Sequence, residues 1–197
     1  ATLGVRIRRL VLLPIMALAI FLPQTTREQT ASHKRSMLGA YDLSARPKAR
    51  FKLPARLSEI SGLTMTKDGR LFAHDDERGV VYQLDYTTGR IVKQFSLGRW
   101  GVRADFEDIA VKGKVFYLVE SNGTLYEFPE GKNDERVSFR TYRTFLTSKN
   151  DVEGLCYDPG TDALLLLCKA DPGKGYQKHK AVYEFSLKTR TLSSQPR

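Results

Sequence analysis

From Ala45 onward the chain alternates apolar and polar residues in short runs separated by Gly, Asp and Pro, the pattern of half-buried strands joined by tight turns. Three acidic segments set a register: Glu59-Ile-Ser-Gly-Leu, Asp105-Phe-Glu-Asp-Ile and Asp151-Val-Glu-Gly-Leu, each 46 residues after the last. Each leads into a short apolar strand (GLTMT, DIAVK, GLCYD), then a turn, then a second strand (RLFAHDD, KVFYLVE, ALLLLCK). A third strand repeats as Val81-Tyr-Gln-Leu, Leu125-Tyr-Glu-Phe and Val182-Tyr-Glu-Phe, and a fourth is RIVKQFSL in the first unit and RVSFRTYRTFL in the second. Four strands in a repeat of about 40 to 50 residues is the signature of a β-propeller blade. The fold class expected is therefore all-β, a propeller of four-stranded antiparallel blades with about three blades over residues 46–197. A solenoid or open sheet stack is the alternative.

Three units are fewer than the four to eight blades that close a ring. The chain is accordingly expected to be part of a larger propeller, with Ala49 to Pro54 (ARFKLP) an outer strand of a blade completed by further sequence.

Before the repeat, Arg6, Arg8 and Arg9 precede an apolar run from Leu10 to Pro23. Fourteen residues broken by Pro14 fall short of the roughly 20 that span a bilayer. Residues 1–23 are therefore read as an export signal, with an uncleaved anchor left open, and residues 24–45, polar and basic, as a linker. Membrane contact is expected only through this N-terminal segment, and the location is periplasmic or inner-membrane-tethered.

The formal charge of +10 suggests nucleic acid until it is located. Residues 1–57 hold eleven Lys and Arg against only Glu28 and Asp42. The propeller is thus close to neutral, and nucleic-acid binding through a basic stripe is not expected. Cys156 and Cys168 are too far apart across a hairpin turned at Asp158 to Ala163 to form a disulfide, and are read as two packed core thiols.

In an antiparallel meander, strand one starts where strand two ends. Glu59, Asp105, Glu107, Asp151 and Glu153 from the starts, and His74, Asp76, Glu120 and Lys169 from the ends, should therefore meet at one mouth of the central channel. Clustered carboxylates repel and raise one another's pKa unless compensated. Glu59, Asp76, Asp105, Glu107, Glu120, Asp151 and Glu153 are the candidate ligands of a hard divalent ion, calcium or magnesium. His74, Arg103 and Lys169 are candidates for contact with a bound small molecule, and Arg103, Lys149 and Lys169 could instead neutralise the carboxylates. The bland alternative is that Asp105 and Asp151 cap turns, that His74 is a hydrogen-bonded or solvated histidine, and that Trp100 packs rather than forming a ligand platform. If the protein is a hydrolase of phosphate or carboxylic esters, Glu107 or Glu153 is the general base.

On Leu57-Ser-Glu-Ile-Ser-Gly-Leu, Phe72-Ala-His-Asp-Asp-Glu-Arg-Gly, Ala104-Asp-Phe-Glu-Asp-Ile-Ala and Asn150-Asp-Val-Glu-Gly-Leu, the chain resembles the SdiA-regulated (YjiK-like) family. That family is similar in turn to esterase-like phytase and other six-bladed propellers. The resemblance spans about Pro54 to Phe185 and implies a periplasmic or membrane-tethered six-bladed propeller. The family name describes how a gene is controlled, so the resemblance implies no activity.

Overall fold

The computed structural model describes residues 37–47 and 49–197. The signal or anchor expected over residues 1–23, and the linker up to residue 36, lie outside the described residues. No described helix is long and apolar enough to cross a membrane. Residues Met37–Ala40 form one turn of 3-10 helix, and a separate compact unit spans Pro47–Arg197.

This unit is three antiparallel sheets. The first contains β1 (Ile60–Met65), β2 (Leu71–Asp75), β3 (Val80–Leu84) and β4 (Ile91–Leu97). The second contains β5 (Phe106–Lys112), β6 (Val115–Glu120), β7 (Leu125–Pro129) and β9 (Arg140–Tyr142). The third contains β10 (Val152–Asp158), β11 (Ala163–Cys168), β12 (Ala181–Ser186) and β13 (Thr191–Leu192). Each is a simple meander, as the 46-residue repeat predicts.

Two expectations are corrected. The run from Arg136 to Leu146 is not one outer strand. Its first part, β8 (Arg136–Val137), leaves its own blade and pairs in parallel with β4 of the first sheet, Ser96 opposite Arg136 and Leu97 opposite Val137, before the chain returns to β9. Val137 is buried there with Phe95 and Leu97, which is where its side chain finds apolar cover. Residues 49–54 form no strand either. Leu53 packs with Leu57, Ala73, Tyr82 and Leu84 on the side of the first sheet away from the second.

The core lies between the sheets, and β6 shows why its sequence lacks alternation. Phe116 and Leu118 turn to the first blade, joining Phe72, Val81, Phe95 and Leu97. Tyr117 and Val119 turn to the third, joining Leu164, Leu166, Tyr183 and Phe185. A strand buried on both faces has no polar side to write into its sequence. The Phe72 and Phe116 rings meet edge to face at 4.8 Å, and each fully buried side chain of this size contributes about 1.5–3 kcal/mol. Across the third sheet, Leu167 is 43% exposed.

Cys156 faces Leu165, the register expected from the turn, and Cys168 lies opposite Val152. Both thiols are free, but only Cys168 is a core thiol; Cys156 is exposed. Burial pushes the Cys168 thiol up to about 11.

Candidate functional site

The inner strands β1, β5 and β10 all carry a register irregularity at the same point in the repeat: between Ile60 and Leu63, Phe106 and Asp108, and Val152 and Gly154. A bulge leaves a residue outside the ladder and re-aims it. The residues so treated are Ser61 with Gly62, then Glu107, then Glu153. Equivalent bonds also close each blade: the residue leaving strand two donates its N–H to the carbonyl of the acidic residue before strand one, Asp76 to Glu59 (3.1 Å), Ser121 to Asp105 (3.0 Å) and Lys169 to Asp151 (2.7 Å). Strand-one starts and strand-two ends therefore do converge at one end of the molecule.

Glu107 is the centre of that end. Its carboxyl is pushed up to about 7, first by burial and then by the charges of Asp105, Glu153 and Asp151, with Lys169 acting in the opposite direction. Lys169 holds Glu153 at 2.5 Å and Asp151 at 3.4 Å, and those bonds raise the ammonium above its ordinary value. Asp105 accepts from the Ser121 hydroxyl at 2.6 Å, and the Ser61 hydroxyl donates to the Glu107 carbonyl at 2.9 Å. Glu59 is exposed at the rim.

Other expected members lie elsewhere. Ser121, not Glu120, occupies the position equivalent to Lys169. Glu120 is one residue earlier in a turn closed by the Gly123 N–H on its carbonyl (2.8 Å). Its carboxylate is turned away to accept from the Tyr126 hydroxyl and the Asn122 amide. Arg103 faces Glu77 at 3.7 Å across an exposed pair and does not compensate Glu107. His74 is fully buried and cannot touch a ligand in the mouth. Trp100, expected to pack, is 84% exposed.

Beneath the mouth lies a polar knot that the sequence reading missed. Asp108 Oδ2 accepts the Leu155 N–H of the third blade at 2.7 Å, and Oδ1 accepts its neighbour Ile109 N–H at 2.8 Å. Burial raises the Asp108 pKa, against these two bonds. His74 Nδ1 lies 2.9 Å from the Asp75 carbonyl, while among the described residues neither Nε2 nor Asp76 Oδ1 has a hydrogen-bond partner. Burial lowers the His74 pKa, against its backbone bonds and the charges of Asp75 and Asp76. Gly62 makes this arrangement possible: a Cβ there would come within 2.4 Å of Asp108 Oδ1 and 2.8 Å of His74 Nε2. The signal was in the repeat, where Gly62, Asp108 and Gly154 are equivalent and only the middle blade carries a carboxylate.

Among the described residues, no group of three or more His, Cys, Asp and Glu side chains is placed to hold a metal ion. Of the seven carboxylates expected to share one cation, Asp105, Asp151 and Glu153 act on Glu107, Glu59 is exposed and Asp76 half-buried, and Glu120 is turned to Tyr126 and Asn122.

No family model matches the chain, and no curated protein matches it either. Among solved structures it is similar to virginiamycin B lyase from Staphylococcus aureus, with a TM-score of 0.50 and 12% identity over 73% of this chain and 43% of that one. A catalytically inactive form of the same enzyme with quinupristin gives 0.49 at 12% identity, covering 72% and 42%. Hsv2 from Kluyvelomyces marxianus gives 0.41 at 13% identity, covering 70% and 46%. The chain thus spans less than half the length of these structures. At such identities a likeness speaks to fold alone, and together with three four-stranded meanders, the first extended by β8, it makes this chain part of a β-propeller.

Proposed function

We propose that the chain belongs to an extracytoplasmic binding propeller that takes a cationic ligand at the inner-strand mouth. One observation carries this: the β5 bulge sets Glu107 beside Asp105, Asp151 and Glu153, where burial and three carboxylates push its carboxyl up to about 7, with Lys169 in partial compensation. A bound cation removes that conflict. A compact calcium or magnesium ion wants six to eight or six oxygens at short range, and the mouth carboxylates do not converge on a point. Either ion would be held through its water shell, whereas an organic polyamine reaches separated carboxylates directly. The apolar segment at residues 10–23 and the resemblance to the SdiA-regulated family support the extracytoplasmic part of the reading.

Calorimetric titration of spermidine, calcium chloride and magnesium chloride into the protein tests it. Spermidine should bind with a dissociation constant of order 1 mM or below, about 4 kcal/mol, and Glu107→Gln should weaken binding at pH 8. Binding of calcium or magnesium alone would replace the polyamine by a metal, and silence from all three would sink the proposal.

A second reading is favoured by the same carboxyl. A group that titrates near 7 is suited to general acid–base work, so the propeller could hydrolyse phosphate or carboxylic esters with Glu107 as base. Glu153 is less suited, being committed to Lys169. Turnover of phosphoesters or lactones that survives Glu107→Gln would remove this mechanism.

A further inference from the structure

Sharing none of the mouth carboxylates, the β2–β3 turn, the crossing from β4 to β5 and the displaced strand β8 form a cleft of about 500 Å³ lined by Arg78, Ser96, Trp100, Arg103 and Arg136. The ladder aims these side chains together. Arg78 is bridged to Arg103, Val80 is opposite Ser96, and Ser96 is opposite Arg136. Directly paired residues project to the same face, and so do residues two apart on one strand. The departure of β8 from its own blade is what brings Arg136 here.

The charge in the cleft is only partly answered. Arg78 is held by Asp75, which accepts from Nε and Nη2 at 3.2 and 2.6 Å. Burial of Asp75 would raise its pKa, but Arg78 keeps it below the ordinary value. Among the described residues, Arg103 pairs only with the exposed Glu77, at 3.7 Å. Arg136 Nη1 donates to the Arg99 carbonyl rather than to an acid. The acid on the adjoining side, Asp134, is taken by Gln94 (2.8 Å) and Asn133 (2.7 Å).

At the lip stands Trp100, with the Arg99 guanidinium 5.0 Å from its ring centroid. Gly98 and Gly101 flank it at φ 70° and 78°. No atom outside its chain neighbours lies within 4 Å of a Cβ built on Gly101. The indole is therefore carried exposed on a glycine turn at the edge of the cleft, and an exposed aromatic beside guanidinium groups suits a flat ligand bearing negative charge.

We infer that this cleft binds a small planar organic anion, its carboxylate or phosphate oxygens on Arg103 and Arg136 and its ring against Trp100. The site is separate from the cation mouth and does not depend on it. Trp100 is the single tryptophan of the chain, so its emission reports on the site directly.

The full chain is titrated with benzoate, phenyl phosphate, inorganic phosphate, benzylammonium and a thymidine oligonucleotide, followed by Trp100 fluorescence and by calorimetry. Phenyl phosphate or benzoate should give a saturable emission change, and the tighter of the two identifies the anionic group. Arg103→Gln and Arg136→Gln should each weaken binding about tenfold, as loss of a charge-assisted bond implies. Trp100→Phe should weaken it in the calorimeter. Arg103 is mostly exposed, so its variant also serves where Arg136→Gln disturbs β8. Failure of both aryl anions to saturate, equal affinity for inorganic and phenyl phosphate, or an equal response to benzylammonium would overturn the inference. Tighter binding of a thymidine oligonucleotide would overturn it too, making the cleft a nucleic-acid surface.

Discussion

Glu107 and Asp108 are neighbours on one strand, both pushed up by burial, and differ in the partners they find. The bulge in β5 throws Glu107 out of the ladder toward three other carboxylates, where its charge is opposed. Asp108, one residue on, turns into the wall and receives two backbone N–H groups, one from the next blade. An acidic residue that the fold satisfies is part of the fold. One that the fold leaves in conflict is available to something else, and this separates structural from functional carboxylates better than their shared position in the repeat.

The strongest way to break this contrast is to deny Asp108 its room. Gly62→Ala puts a methyl 2.4 Å from Asp108 Oδ1, 2.8 Å from His74 Nε2 and 2.9 Å from Asp108 Cα, and backbone cannot give way as a flexible side chain can. A cost of about 3 kcal/mol or more is expected, the upper end for overpacking. The equivalent Gly154→Ala meets the Leu167 Cβ at 3.0 Å and should cost about 1 kcal/mol or less. Urea midpoints of the two variants decide it; equal losses would show that the knot around Asp108 has no special place in the fold.

The opposite side of the contrast is sharpened by pH. The folded Glu107 carboxyl titrates near 7 against an ordinary value of 4.5. Between these values the folded state binds more protons than the unfolded one, so stability falls as pH rises. Its favourable contribution is complete below about pH 4.5 and is lost as pH rises through about 7. Glutamine carries no charge at either extreme. Glu107→Gln should therefore match the parent near pH 4 and exceed it by about 1–2 kcal/mol at pH 8, allowing for solvent screening of a partly exposed group. Parental stability at both pH values would mean that Glu107 is not in conflict at all.

The contrast also explains what could be read in advance. Repeat length, strand order and the convergence of strand-one starts with strand-two ends follow from alternation and turn residues, which act locally. The position of Glu120 did not follow, because a single-residue offset in the Glu120–Gly123 turn reverses the face a side chain takes. The displacement of β8 did not follow either, since Arg136–Val137 reads as strand whichever sheet it joins. His74 was misplaced because burial of a lone polar ring depends on Gly62 in another strand, a contact no local pattern encodes.

The smallest effect isolates the electrostatics from the packing. Lys169 is exposed and touches only the mouth carboxylates and, through its carbonyl, Lys180, so Lys169→Met should leave the unfolding midpoint near its parental value, as exposed ion pairs contribute little. Its ammonium nevertheless lowers the Glu107 pKa. Removing it leaves Asp105, Asp151 and Glu153 unopposed, and the Glu107 carboxyl should titrate at higher pH, observed by carboxyl carbon chemical shifts. Asp108, whose pKa is governed by burial and two backbone bonds, should not move in the same experiment. If both shift together, the two carboxyls share one electrostatic environment and the distinction between wall and mouth fails; if neither does, Lys169 is screened from the mouth by water.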